Sequence, residues 1–332
     1  MESAPITGES PPEPDRSGAA TEIALSGGLS ALLFAAFFAL PFAGALGLPF
    51  AAAPAVRVAH RRGFGAGLAA SGLAAAVLFA LGAAAGGARG GAGVGLAVGV
   101  LAILPVVSAA AVRRGADPSR AYLALCVAGA AVFVGLLLGV NPAGERPVGA
   151  ELSEAFDRMM PGALESYRKA NADAVTLERV RSTLIAARDF TRRFWPGLVG
   201  ACWVLEAAVA FYVGARAARP APSAARVRFE SLAVPPAIAG VFVASGAAFA
   251  FSGGVLRTAA GALLLTLAAL YFVAGLSIIC HFARRWFRFW LLRVGVYTLV
   301  AYFPMNVGVA LLGLFDWYVD FRRRGAGAIE TR

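Results

Sequence analysis

Long apolar runs alternate with short arginine clusters along nearly the whole chain, and that alternation decides the fold class. A soluble domain carries about 25% charged residues. This chain carries 15%, with 59% hydrophobic residues and a mean hydropathy of +0.72. Stretches such as Leu232 to Phe251 are too apolar and too frequent for one water-soluble core. About 20 apolar residues span a bilayer as a helix, and in lipid only helices or closed barrels satisfy the backbone. The runs are rich in Ala, Leu, Val and Gly and lack period-2 alternation, so they read as helices rather than barrel strands. The expected fold is therefore all-α, a polytopic transmembrane bundle of about 8–10 membrane helices.

The net charge of +11 is not a nucleic-acid signal, because the arginines sit between apolar spans, where membrane topology places them. Cys126, Cys202 and Cys280 lie far apart inside apolar spans. They fit small buried hydrophobes better than disulfides or a metal site. Neither a metal nor a cofactor is expected.

Residues 1–24 are acidic and Pro-rich and read as a disordered tail. No basic region precedes the first apolar run, so that run is expected to be retained and not cleaved as a leader. Residues 25–140 are expected to hold the N-terminal membrane helices. Residues 141–193 form an extracytoplasmic segment, 194–321 hold the C-terminal membrane helices, and 322–332 a basic cytoplasmic tail. Clear spans fall near 64–85, 92–112, 121–140, 196–215, 232–252 and 258–280. The first run, Leu25 to Val56, is broken by Pro41, Pro49 and Pro54, and the last, 289–319, by Pro304. Each is either one kinked helix or a pair of short ones, and the paired reading is preferred.

Four loops are arginine-rich: Arg57, Arg61 and Arg62; Arg113, Arg114 and Arg120; Arg216, Arg219, Arg226 and Arg228; Arg284, Arg285, Arg288 and Arg293. The short loops between them carry only Arg89 and Arg257. The positive-inside rule puts the four rich loops in the cytoplasm, with both termini there if both broken runs are pairs. The localisation that follows is a bacterial cytoplasmic membrane. In 141–193, Leu152, Phe156, Met159, Met160, Leu164 and Tyr167 recur at helical spacing, as do Val175, Val180, Leu184 and Ala187. Two or three amphipathic helices are expected, punctuated by Pro161 and Gly162, forming either a cap on the outer face or a lid over an outward cavity.

Glu206 is the sharpest single residue, an acid near the middle of a span. Inserting such a side chain costs on the order of 2.5–3.5 kcal/mol, so it either lines an interior site or fixes helix packing. Asn306 follows Pro304, which frees a backbone carbonyl, and is either a second binding residue or a turn residue. Asp316 and Asp320 share a helical face, with Arg323 and Arg324 within pairing distance of Asp320. With Trp317 and Tyr318 they read as an interfacial anchor or a partner-docking site. Ala31, Ala35 and Ala39 make a small-residue stripe that permits close helix approach. His60 sits among arginines and reads as part of the inside signal, and His281 as an interfacial histidine. The glycine-rich 86–99 segment lacks a preceding strand and a following Gly-Lys-Ser/Thr. It reads as an outer loop and close helix packing, not as a phosphate loop. No HExxH, GxSxG, paired zinc ligands or nucleotide signature is present, so no enzyme activity is expected.

The proline-broken first run followed by RVAHRRGFGAG, then RFESLAVPP, ALYFVAGLSIICHF and the closing GLFDWYVDFRRR, resemble the YybS-like family of bacterial membrane proteins, domain of unknown function 2232. The resemblance covers about 25–324. The first helix, short second helix, basic turn and following glycine also resemble the substrate-binding membrane subunits of energy-coupling-factor transporters. That resemblance implies that Ala31, Ala35 and Ala39 touch a membrane coupling partner. The expected function is transport-related, a substrate-binding or permease-like subunit without its own ATPase, with Glu206 and Asn306 as binding residues. Its expected partners are membrane lipid and a membrane or cytoplasmic coupling protein. The alternatives are an envelope scaffold using 141–193 and an intramembrane enzyme acting on lipid.

Overall fold

The computed structural model describes residues 16–39, 47–140, 148–219 and 221–286, then 289, 291–292, 295–296, 300, 305–319 and 321. Among these residues the secondary structure is helical, with no strand. The main helices are α1 (Arg16–Ala39), α2 (Ala53–Arg62), α3 (Phe64–Arg113), α4 (Pro118–Val140), α5 (Val148–Lys169), α6 (Ala174–Ala217), α7 (Pro236–Phe251), α8 (Gly254–Trp286) and α9 (Met305–Val319). A 3-10 turn, Leu48–Phe50, precedes α2, and a one-turn helix, Pro222–Ala225, follows α6. Four segments are long and apolar enough to cross a membrane: Gly18–Ala36, Phe64–Ala84, a window within Ala174–Ala217, and Gly254–Trp286. Shorter apolar helices accompany them at Ala102–Arg113, Pro118–Val132, Pro236–Phe251 and Met305–Val319. Large apolar side chains such as Leu25, Leu32, Phe251 and Val255 are exposed. Lipid solvates such a belt and water does not. The chain is a polytopic helical membrane protein.

α6 is the column of the bundle, packing against α8, α2, α4 and α5. Close approach is set by notches. Gly197 and Gly200 of α6 press on Ala262 and Thr266 of α8, so these two helices run parallel. Gly214 receives Val56 and the Ala53 carbonyl of α2. On the α4 side the notch is reversed, with Trp203 of α6 lying against Gly129. Phe242 stacks on Tyr271 and Phe249 meets Gly261, so α7 runs antiparallel to α8. In lipid there is little hydrophobic force between helices, and such backbone approach carries the association.

α3 extends over 50 residues, yet the Ser71 hydroxyl donates to the Ala102 carbonyl at 3.2 Å. A straight helix would separate these residues by about 46 Å at 1.5 Å per residue. Gly67 meets Val106, and Gly63 meets Arg113. The two limbs therefore lie antiparallel and the chain reverses between them, as the two spans near 64–85 and 92–112 require. The first run also forms a hairpin. Phe34 of α1 clusters with Ala51, and Glu22 near its start pairs with Arg57, Arg61 and Arg62 at 2.9–3.5 Å. Residues 16–24, expected in a disordered tail, are helical, and those three arginines hold Glu22.

The final run behaves differently. Gly275 of α8 packs on the Val309 backbone, and Gly313 on the Tyr271 backbone, so α9 runs antiparallel to α8. A returning second helix of a pair would lie parallel to α8. α9 does not run that way, and most of residues 287–304, the other half of the expected pair, lie outside the described residues. α9 leads away from the Arg284 end of α8.

Residues 148–193 form one helical hairpin. Asn171 takes a left-handed turn at φ 57°, and Asp173 caps α6 by accepting from the Thr176 amide at 2.8 Å. Pro161 and Gly162 do not interrupt α5, contrary to the expected break. Phe156, Met160 and Leu164 are half-buried, as are Leu177, Val180 and Leu184, and these two rows make the seam. Met159, Tyr167 and Val175 lie outside it and are exposed. α6 kinks at Phe194 (φ −114°, ψ 15°), because Pro196 lacks an amide and clashes with the carbonyl four residues back. That carbonyl, of Arg192, is met by Gly149 of α5.

Candidate functional site

The four arginine-rich loops come together on one face of the bundle. Arg113 donates to the Ala59 carbonyl at 3.2 Å, and Arg226 to the Val112 carbonyl at 2.7 Å. His60 Nδ1 lies 3.1 Å from the Ser223 hydroxyl, and Arg284 pairs with Glu230. These contacts join loops up to 163 residues apart in sequence. Three of the loops line an open cavity of about 750 Å³, with His60, Arg61, Arg113, Ala221, Ser223 and Arg226 in its walls. His60 is 2% exposed, and its Nε2 has no hydrogen-bond partner among the described residues. Burial, and then the Arg113 guanidinium, hold the His60 pKa down to about 4, so the imidazole is neutral near pH 7.

A second cavity, of about 520 Å³, lies between α6, α7, α8 and α9. Its walls are apolar, with Leu205, Phe242, Phe272 and Leu314 among them, and both Tyr271 and Asn306 line it. The Tyr271 hydroxyl and Asn306 Oδ1 are buried without a hydrogen-bond partner among the described residues. Its size suits a small molecule, for which pockets span about 300–1,000 Å³.

The residues singled out from sequence are thereby separated. Asn306 lines the second cavity, while Glu206 does not. Leu205 faces that cavity, and a helix turns about 100° per residue, which carries Glu206 to another side of α6. Glu206 is 8% exposed, and its Oε1 has no partner among the described residues. The Leu48–Phe50 turn packs on α6. Ala31 is buried against Phe34, Ala51, Ala74 and Leu78, with Ala35 packed on the same cluster. Ala31 and Ala35 thus pack on the chain's own α3 and on the turn at Leu48–Ala51. Ala39 ends α1, and its side-chain surroundings lie outside the described residues, as do Asp320 and Arg322 to Arg324. Asp316 is half-buried on α9. Cys126 and Cys280 are buried and Cys202 is exposed.

Tyr271 and Ser223 were not legible as site residues. Tyr271 reads as one more aromatic in an apolar run, and Ser223 as a loop residue just after Pro220 and Pro222. His60 carries its role only through partners 53 and 163 residues away in sequence, Arg113 and Ser223.

Neither a curated protein nor a solved structure matches the chain. A family model described as "Predicted membrane protein (DUF2232)" matches residues 28–317, from the middle of α1 almost to the end of α9. With that match running through most of the helical bundle, the chain belongs to the DUF2232 family of predicted membrane proteins.

Proposed function

We propose that the protein is a transport-related subunit of a bacterial cytoplasmic membrane, without its own ATPase, that binds an apolar small molecule carrying a hydrogen-bonding head. The basic face is cytoplasmic by the positive-inside rule, and the α5–α6 hairpin is extracytoplasmic. The observation that carries the reading is the cavity between α6 and α9. Its walls are apolar, while Tyr271 and Asn306 each carry a buried polar group that no described residue satisfies. An unmade hydrogen bond at a buried group costs about 1–3 kcal/mol, and a ligand head placed between the two recovers it. Asn306 and Tyr271 are the binding residues in this reading, and Glu206 is a packing residue on a different side of α6.

Labelling with a diazirine-bearing long-chain alcohol tests it. Irradiation is expected to mark peptides of α8 and α9. Asn306→Leu should cut that labelling about tenfold, the loss of one hydrogen bond to a desolvated partner. Glu206→Gln should leave it unchanged. Labelling spread evenly over all lipid-facing helices and insensitive to Asn306→Leu would contradict the assignment. The exposed Met159, Tyr167 and Val175 on the hairpin favour a second reading, an envelope scaffold that holds another component. A scaffold would show no Asn306-dependent labelling and would lose its bound component when 150–190 are deleted.

A further inference from the structure

Arginines that only orient a membrane protein stay in water or among headgroups and need no common geometry. The cavity on the basic face is different. Arg113 and Arg226 come from loops far apart in sequence, yet both line one concavity around a buried imidazole. Each is aimed by a hydrogen bond to a helix-end carbonyl, Ala59 for Arg113 and Val112 for Arg226. A guanidinium has five donors, so this aiming leaves most of them for another acceptor. Arg61 shares its charge with Glu22. Among the described residues no salt bridge to Arg113 or Arg226 occurs, and no carboxylate lines the cavity.

Gly63 makes the arrangement possible. Its φ of +108° disfavours any side chain, and a Cβ there would lie 3.2 Å from Arg113 Nη1. Ser223 Oγ lies 3.1 Å from His60 Nδ1, which fixes the ring; with that hydroxyl donating to Nδ1, the neutral imidazole carries its proton on the buried Nε2, which has no partner among the described residues and is then a donor. Two oriented guanidiniums, a neutral imidazole and no competing acid make a receptor for a multivalent oxyanion.

We propose that this cavity is a phosphate-binding site, with Arg113 and Arg226 pairing the phosphate oxygens and His60 Nε2 hydrogen-bonding the group at its base. The phosphate comes either from the headgroup of an anionic lipid, since the cavity lies at the end of the membrane helices, or from a free phosphate in the cytoplasm. Both sources share the same recognition chemistry.

The test uses the full chain in nanodiscs. One arm titrates inorganic phosphate into phosphatidylcholine discs. The other compares thermal stabilisation in discs with and without phosphatidylglycerol. A free-phosphate site gives saturable binding in the first arm, and a headgroup site gives stabilisation in the second. In whichever arm responds, Arg113→Gln and Arg226→Gln are each expected to weaken binding by about tenfold or more. Arg120→Gln and Arg228→Gln remove the same charge from the same face without touching the cavity, and should change it less than about twofold. Because Arg113 and Arg226 also brace helix ends, a second pair guards against misfolding. Ala221→Glu puts a carboxylate into the cavity and is expected to abolish binding, while Ala225→Glu, on the same short helix outside the lining, is expected to spare it. Equal losses from all four arginine variants, equal losses from the two glutamate variants, or no response in either arm would overturn the proposal.

Discussion

Trp203→Ala is expected to lower the melting temperature of the detergent-solubilised protein more than any other single truncation in α6. Trp203 is 4% exposed, and its ring fills the notch at Gly129 so closely that a Cβ there would overlap it. Its indole N–H donates to the Leu125 carbonyl at 3.2 Å, one turn from where the Tyr122 hydroxyl donates to the Val204 carbonyl at 3.0 Å. These reciprocal bonds, from α6 to α4 and from α4 to α6, fasten the two helices. Truncating a buried tryptophan costs about 3–5 kcal/mol in water-soluble cores. Here the lower end applies, because a lipid tail can enter part of the space left behind and helix association gains little from hydrophobic transfer. A loss of about 3 kcal/mol, read as a melting shift, with part of it recovered in Trp203→Phe, is the expected result. A melting curve unchanged by Trp203→Ala would show that the α4–α6 contact is not what locks this side of the bundle.

Gly275→Leu is expected to be comparably damaging for a different reason. A Cβ at Gly275 would overlap the Val309 carbonyl, and at Gly313 the Tyr271 carbonyl. Backbone cannot swing aside as the end of a side chain can, so α8 and α9 must separate or tilt. Overpacking a well-fitted site costs about 1–3 kcal/mol, and a whole leucine side chain against backbone belongs at the top of that range or beyond it. The change also opens the cavity that Asn306 and Tyr271 line. Gly275→Leu is therefore expected to lose both thermal stability and Asn306-dependent photolabelling. Gly308→Leu is the control, because nothing lies within 4 Å of the Cβ it would add, and it should melt like the parent. If both variants melted alike, the close α8–α9 approach would be wrong.

The features legible in the sequence are those written in local composition. Apolar runs give helices, and arginine loops give one shared face, because both depend on what a short segment contains. Asn306 was legible because an amide beside a proline stands out in an apolar run. Glu206 was legible as costly, but its direction was not, since a single helical position does not reveal which neighbour it meets. Ala31 and Ala35 signalled close approach correctly, yet a small-residue stripe does not say to which helix. The glycines at 129, 200, 214, 275 and 313 set the packing, and in a chain with 39 glycines nothing marks them out. The basic cavity was hidden because its members are joined only by the fold. The direction of α9 depended on whether residues 289–319 cross once or twice, which a proline in mid-run leaves open.

The central claim is that four basic loops share the cytoplasmic face and the α5–α6 hairpin stands on the other side. Single cysteines at Ala116, Arg219 and Asn171, introduced after Cys126, Cys202 and Cys280 are replaced by serine, test it directly with a membrane-impermeant maleimide on intact cells. The account predicts that Asn171→Cys reacts at once, while Ala116→Cys and Arg219→Cys react only after permeabilisation. Reaction of Ala116→Cys and Arg219→Cys from opposite sides, or of Asn171→Cys from the same side as both, would contradict it.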